Sequence, residues 1–319
     1  MGTVPYNDLR VSVVMSVYNA ESFLAQALRS VLEQDIENYE VVVVDDGSSD
    51  RSSEILRTFA CERLVVLEQD NRGLAKALNR GIRNARAPLI ARMDADDRSA
   101  PNRLRLQLQF LERNRDHVAV GSNARVIDKE GGYVYTTERP LEDERLRARL
   151  PETPFIHSST VFRKDVFYAA GQYCDQMVVA QDTVLFNRMA RLGKVANLAP
   201  PLLEYRIVPS ANSAREKKSG EFTRILHKAI KDNAISEEEA AYVAQRTRDR
   251  ESPRRLVNYH NFLAKKFLWN NFRPDDARKH LRESCQVKAN LNAAALYFVS
   301  FLPGALVQQL YRAAKRGQS

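Results

Sequence analysis

The first hundred residues alternate between short apolar runs and amphipathic stretches. "VSVVMSVYN", from Val11 to Asn19, is β-branched and almost continuously apolar, which predicts a strand buried on both faces. In "ESFLAQALRSVLEQ", which follows, Phe23, Leu24, Ala27, Leu28, Val31 and Leu32 recur at helical spacing. The change of period then repeats. "YEVVVVDDGSSD" is an apolar run closed by turn residues, and "RSSEILRTFA" reads as a helix with Asp50 as its N-cap. "RLVVLEQ" precedes "GLAKALNRGIRNA", in which Leu74, Ala77, Leu78, Ile82 and Ala85 share one face, and "PLIARMD" is a fourth apolar run. Four such runs separated by amphipathic helices predict an α/β fold of βαβ units, with a mainly parallel sheet flanked by helices.

This architecture gives the polar residues their meaning, because ligands of open α/β sheets bind beyond the carboxyl ends of the strands. Three runs end in Tyr18-Asn19, in Asp45-Asp46-Gly47 and in Asp94-Ala95-Asp96-Asp97, and all three should open onto one edge. Two carboxylates about 4 Å apart repel by roughly 4 kcal/mol at a protein surface. Unless they splay into water, the acids after Met93 therefore call for a cation or a proton. Gly47 and the serines after it supply a tight turn, and Gly73 opens a helix whose free N–H groups suit an anion.

Several familiar nucleotide sites are excluded. The turn after the first strand reads "SVYNAES" where a dinucleotide fold needs G-x-G-x-x-G, and no G-x-x-x-x-G-K-[ST] occurs. An aspartyl phosphatase would carry its acid pair after the first strand, and an EF-hand would need a glycine and a glutamate that do not follow Asp94.

Composition changes the picture in the last third. The 319 residues carry a net charge of +9, but from Ala211 onward there are 21 Lys and Arg against 11 Asp and Glu. The first 210 residues are thus close to neutral, and the basic character belongs to what reads as a mainly helical region, residues 211–319. Its end, "NLNAAALYFVSFLPGALVQQLYRAAKRGQS", has no charged residue between Asn292 and Gln308 and closes with Arg312, Lys315 and Arg316. Pro303-Gly304 interrupts it, and it is shorter than the ~20 apolar residues of a spanning helix. The reading is a membrane-associating end, about residues 291–316, held at an acidic lipid face by its basic residues, against the alternative of a helix packed on the protein's own core. Without a recognised module or aromatic-basic interleaving, nucleic acid is not an expected partner. The opening "MGTVPYNDLR" has no secretory leader pattern, and Cys61, Cys174 and Cys285 lie too far apart for a metal or redox pair. The expected location is the cytoplasm, peripheral on the inner face of the cell membrane.

Taken together, the segment from Val11 to Leu56, "NRGLAKALNRGIRNARAPLIARMDADD" and "QDTVLFNRMARLG" resemble the successive signatures of the family 2 glycosyltransferases with the GT-A fold. The resemblance covers about Val11 to Ser213, and its strength lies in the order and spacing of the pieces. It implies a catalytic domain over residues 1–210, with a nucleotide-sugar half to about residue 100 and an acceptor half after it. It assigns Asp94 and Asp96 to the metal and donor element, with Mn²⁺ or Mg²⁺ as cofactor. Ser16, Tyr18, Asp45 and Asp46 match the nucleoside pocket, and Asn71, Arg72 and Lys76 the segment beside the nucleotide. Asp182 matches the family's base, which takes the proton of an attacking hydroxyl, although Gln181 stands where Glu is usual and Val184 where a further acid is common. As a purely structural alternative, Asp182 caps a helix from Thr183 to Leu192. His157, read on a strand, and Arg206 are candidates for acceptor or diphosphate contacts.

Processive members carry Q-x-x-R-W, whereas the single tryptophan here, Trp269, follows "KFL". The expectation is therefore an inverting, metal-dependent transfer of one sugar. Its donor is a nucleotide sugar, in the first instance a UDP-sugar, and its acceptor a glycan or lipid-linked saccharide of a surface polysaccharide. The rival reading is a non-catalytic sugar-nucleotide-binding or membrane scaffold protein.

Overall fold

The computed structural model describes residues 9–209, 220–245 and 252–316, with side chains described as far as Leu310. The four apolar runs form β1 (Val11–Val17), β2 (Tyr39–Asp45), β3 (Leu64–Glu68) and β4 (Leu89–Asp94). They pair in parallel in the order β3-β2-β1-β4. The helices between them are α1 (Leu24–Leu32), α2 (Ser52–Thr58) and α3 (Leu74–Asn84). The N-cap of α2 is Arg51, one residue after the Asp50 predicted, although the Asp50 carboxylate still accepts from the Ser52 backbone N–H at 2.9 Å.

Period-two alternation sorts each strand between two cores. Val11, Val13, Met15, Val41, Val43, Ala91 and Met93 face α1 and α2, together with α4 (Arg103–Arg113). Val14, Val42 and Ile90 face the other way, toward α3, α6 (Lys164–Ala169) and α7 (Gln181–Met189). The second face is tight, since a Cβ on Gly81 of α3 would stand 2.6 Å from Val14 Cγ1. Arg92 and Asp94 share the parity of Ile90, which puts both on the α3, α6 and α7 side.

Beyond β4 the sheet turns antiparallel, so that it is mixed where the apolar pattern covered only its parallel half. The later strands are β5 (Arg98–Ser99), β6 (His117–Ile127), β7 (Tyr133–Thr136), β8 (Val161–Arg163) and β9 (Lys194–Arg206), with the short helix α5 (Asp143–Arg147) between β7 and β8. Among the described residues the sheet runs β3-β2-β1-β4-β8-β6-β9-β5, with β7 on β6. β4–β8, β8–β6 and β9–β5 are antiparallel.

The two ends of the parallel strands differ in their polar content. At the amino ends, the buried Glu40 accepts from Ser12 Oγ, from the Arg86 backbone N–H and from Arg86 Nε at 2.6–2.7 Å. That carboxylate is fully occupied with holding the sheet together. The carboxyl ends carry the crowded acids.

Two compact units make up the chain. The first combines residues 1–125, 136–205 and 218–246, and the second residues 126–135, 206–217 and 247–319. In the first, α8 (Gly220–Asp232) and α9 (Glu237–Gln245) form a third core with Cys174, Met177 and Val184. The helices just after residue 210 thus pack with the sheet unit, because the apolar stripe of α8 (Phe222, Ile225, Leu226, Ala229) finds its partner on α7.

The second unit holds α10 (Pro253–Trp269), α11 (Pro274–Val287), α12 (Leu291–Val299) and α13 (Gly304–Arg316). No helix among the described residues is long and apolar enough to cross a membrane. Leu291, Phe298 and Phe301 are 90%, 74% and 61% exposed. The side chains of Arg312, Lys315 and Arg316, and residues 1–8 and 210–219, lie outside the described set.

Candidate active site

The parallel register brings the strand ends together: Val17 pairs with Asp45, and Ser16 with Asp94. Tyr18, half exposed, stands just beyond. The loops that follow β1 and β2 are laced to each other. Asn19, at a positive φ of 49°, accepts the Ser49 N–H at 2.8 Å; Asp50 accepts the Glu21 N–H; and Ser52 Oγ accepts the Ala20 N–H.

Asp45 and Asp46 are both buried and do different work. Asp45 accepts from the Ser48 N–H at 3.0 Å and from Ser53 Oγ at 2.5 Å, which shapes its own turn. Asp46 reaches across to the loop before α3, accepting from Gln69 Nε2 (2.6 Å), Arg72 N–H (2.8 Å) and Gly73 N–H (2.8 Å). Gly47 makes this approach possible: its φ is +75°, and a Cβ there would lie 2.7 Å from the Asn71 nitrogen. Asp46 is thus the anchor of the Asn71–Gly73 segment, a more structural task than its place in a nucleoside pocket implies.

At the end of β4, Asp94, Asp96 and Asp97 bring carboxylate oxygens within 4.8 Å of one another. Beneath them lie two buried arginines. Arg92, 2% exposed, is ion-paired with Asp94, and Arg103 of α4, 1% exposed, donates to the Arg92 carbonyl at 2.8 Å. Burial works against the Arg92 charge, yet Asp94, Tyr173 and Asp97 hold its pKa above the ordinary value. Burial pushes Arg103 down to about 9, with Asp97 opposing and Arg92 adding to the fall. Asp97 is fully buried and its charge acts on both arginines, so it is neither a solvated turn residue nor an open ligand. Two cations stand against three carboxylates, which leaves the end of the strand net negative.

The opposite wall comes from the one-turn 3₁₀ helix His157–Ser159, from the segment around Tyr173 and from the start of α7. His157 sits on that turn and not on a strand. Its Nε2 is 2.7 Å from the Tyr173 hydroxyl, and its ring packs edge-on against Phe186 of α7. Burial, with Arg92 nearby, lowers its pKa well below 6.5, which keeps the imidazole neutral. Ser158 Oγ accepts the Asp94 N–H at 2.9 Å, tying this turn to the acids.

Asp182 lies in the first turn of α7. The helix cap is Ala180, with φ 58°, so the capping role expected of Asp182 is not the one it has. A helix that begins two residues before Thr183 places Asp182 inside it, with its side chain partly exposed. Burial raises its pKa above 3.8, the Thr183 N–H and Arg92 oppose this, and Asp94 adds to it. Tyr173 is likewise pushed up by burial, with Asp182 and Asp94 contributing. Arg92, Asp94, His157, Tyr173 and Asp182 therefore form one electrostatic cluster.

Asn71, Arg72 and Lys76 line an open groove of about 1050 Å³ that runs past Tyr173, and Asp94, Asp96 and Asp182 do not line it. Arg206 is buried and belongs to the second unit, where its Nη1 donates to the carbonyls of Asp128 and Lys129 at 3.2 and 2.9 Å.

Sequence reasoning missed Arg92, Arg103 and Tyr173. The signal for Arg92 was present, as a charged residue inside the apolar run "PLIARMD", on the same strand face as Asp94. Nothing in the local pattern of α4 or of the segment before α7 marks the other two. Replacing Asp46 with alanine should cost on the order of 3 kcal/mol in urea unfolding, since two backbone donors and Gln69 lose a charged acceptor. A loss below 0.5 kcal/mol would show that the segment before α3 holds itself.

Known proteins resemble this chain in sequence and in fold. The family model "Glycosyl transferase family 2" matches residues 12–170. EpsE of Bacillus subtilis (strain 168) is 32% identical over 169 residues, 50% of this chain and 58% of that one. The amylovoran biosynthesis glycosyltransferase AmsE of Erwinia amylovora is 34% identical over 203 residues, 61% of this chain and 75% of AmsE. The chain spans well under two thirds of several curated relatives, for example 34% of glycosyltransferase RC0461 of Rickettsia conorii. In fold it is similar to S. aureus TarS 1-349, solved in complex with UDP-GlcNAc, with a TM-score of 0.59 at 16% identity, covering 96% of this chain and 92% of that one. With the ends of β1, β2 and β4 and their acids all inside residues 12–170, and with AmsE 34% identical and covered over 75% of its length, the chain belongs to glycosyl transferase family 2.

Proposed function

We propose that this chain is an inverting glycosyltransferase that moves a single sugar from a nucleotide sugar to a saccharide or lipid-linked saccharide acceptor of a surface polysaccharide. The observation that carries the reading is the convergence of charge at Asp182, Asp94 and Arg92: the acid in the first turn of α7 feels both members of the Arg92–Asp94 ion pair at the end of β4. A UDP-sugar is the proposed donor; TarS, which shares the fold, was solved with UDP-GlcNAc. The name of AmsE supports the polysaccharide context.

In this mechanism Ser16, Tyr18 and Asp45 face the nucleoside, and Asp46 sets the loop from which Asn71, Arg72 and Lys76 approach the phosphates. Asp94 and Asp96 offer hard oxygen donors that fit Mn²⁺ or Mg²⁺, which would neutralise charge on the departing diphosphate. An acceptor hydroxyl gives its proton to Asp182 as its oxygen bonds to the anomeric carbon. The bond from that carbon to the diphosphate breaks on the opposite face, inverting the centre. Neutral His157, held by Tyr173, borders the same space without adding charge.

The exposed Leu291, Phe298 and Phe301 support contact with the inner face of the cell membrane, where a lipid-linked acceptor would be met. In sedimentation with anionic lipid vesicles, Phe298→Ser with Phe301→Ser should reduce binding at least threefold. Unchanged sedimentation would remove this part of the proposal.

Asp182→Asn should lower kcat by ~10²–10⁴-fold while leaving donor affinity within about threefold. Asp182 acts when ionised, and its pKa is raised, so activity is lost as pH falls through a value above the ordinary 3.8. Removing the opposing positive charge with Arg92→Met should move that acid limb to higher pH. Wild-type turnover in Asp182→Asn would sink the mechanism, whereas donor binding without any turnover by the wild type would favour the scaffold reading.

A further inference from the structure

We propose that His260, His280 and Glu283 form a divalent-metal site of the zinc type that joins α10 to α11, separate from the acids at the end of β4. His260 lies on α10, and His280 and Glu283 lie one turn apart on α11, all within the second unit. The Nδ1 atoms of the two histidines are 3.1 Å apart. The same Glu283 carboxylate oxygen is 3.0 Å from His260 Nδ1 and 3.1 Å from His280 Nδ1. Three ligand atoms thus face one another in a nearly equilateral triangle.

Its dimensions suit the metal. A tetrahedral zinc site with bonds of 2.0–2.1 Å has ligand-to-ligand edges of about 3.3 Å. The triangle is one face of such a tetrahedron, closed by about 0.2–0.3 Å, with the fourth position open to water. Two imidazoles and one carboxylate also suit zinc better than Mg²⁺ or Ca²⁺, which prefer all-oxygen sets.

Protons alone satisfy the arrangement poorly. With neutral rings, each Nδ1 is either a donor or an acceptor. If both donate to Glu283, two N–H groups crowd side by side onto one oxygen with their nitrogens only 3.1 Å apart. If one donates to the other, that bond uses the one proton and the one lone pair available, and neither nitrogen has a proton left for the carboxylate oxygen. A cation seated above the triangle accepts a lone pair from all three atoms.

The surroundings hold the ligands in place. The His280 ring stacks on Phe267 of α10 with centroids 5.6 Å apart and planes 2° from parallel. His260 packs edge-on against Tyr259 at 5.1 Å. Ser284 Oγ donates to Asn261 Oδ1 at 2.9 Å, one residue along from His260 and Glu283, and fixes the register of the two helices. His260 and His280 are largely buried while Glu283 is 36% exposed, which leaves an entry path on the carboxylate side.

The test is calorimetric titration of the chelator-treated full chain with Zn²⁺, alongside thermal unfolding with and without the metal. One equivalent should bind with a dissociation constant on the order of 1 µM or tighter and raise the unfolding midpoint. In Asp96→Asn, which removes the β4 acid, Mg²⁺ should do neither at the same concentration. Glu283→Gln should weaken Zn²⁺ binding roughly tenfold or more, and His280→Gln should abolish it. Glu283 is partly exposed, so its conservative variant keeps the test valid even where His280→Gln unfolds the unit. Asp96→Asn should retain this binding in full, which separates it from any metal at β4. Equal Zn²⁺ affinity in the wild type and Glu283→Gln, or no saturable binding below 100 µM, would overturn the site.

Discussion

The ion pair between Arg92 and Asp94 is the constraint around which the catalytic unit is built. A charged side chain in the middle of a sheet is costly to desolvate, and removing its partner would leave that charge uncompensated. Arg92 therefore requires acids nearby, and Asp94, Asp97 and Asp182 all lie within reach of its field. The arrangement also answers the question of how three acids can crowd the end of β4. Two of them are balanced from below by Arg92 and Arg103, and what remains is a net negative charge at the open end of the strand. A dication bound to a diphosphate is the chemistry such a charge would favour.

Much of this was legible because it is encoded at short range. The parallel half of the sheet, its three helices and the single edge to which Tyr18, Asp45 and Asp94 are delivered all follow from runs whose period changes from two to 3.6. Asp46 was visible as a strand-end acid, but its bonds to Arg72 and Gly73 depend on the close approach of two loops 26 residues apart, which periodicity does not report. The antiparallel half was not readable for a related reason. β5 and β8 have two and three residues and show no alternation long enough to register. His157 was misread as a strand residue for want of any local marker of a one-turn 3₁₀ helix.

The helices after residue 210 divide by the partners that their apolar faces find. α8 carries a complete stripe and is absorbed into a core shared with α7, next to the candidate base. α12 keeps Leu291 and Phe298 in solvent, with Phe301 just beyond its end, a pattern that a purely internal helix would not show. Between them, α10 and α11 are held together by packing and by the histidine-glutamate triangle, so the proposed zinc would stiffen the unit that carries the exposed apolar end. Catalytic and anchoring chemistry would then use different cations, one held by hard oxygens and one by imidazoles.

The central claim is that the β4 acids and a divalent cation together hold a nucleoside diphosphate. Calorimetric titration of UDP into the full chain, with and without Mn²⁺, and into Asp96→Asn under the same conditions tests it most directly. Mn²⁺ should tighten UDP binding at least tenfold in the wild type, and Asp96→Asn should remove that gain while leaving the metal-free affinity unchanged. UDP affinity that is the same with and without Mn²⁺, or a Mn²⁺ gain that survives in Asp96→Asn, would contradict the account.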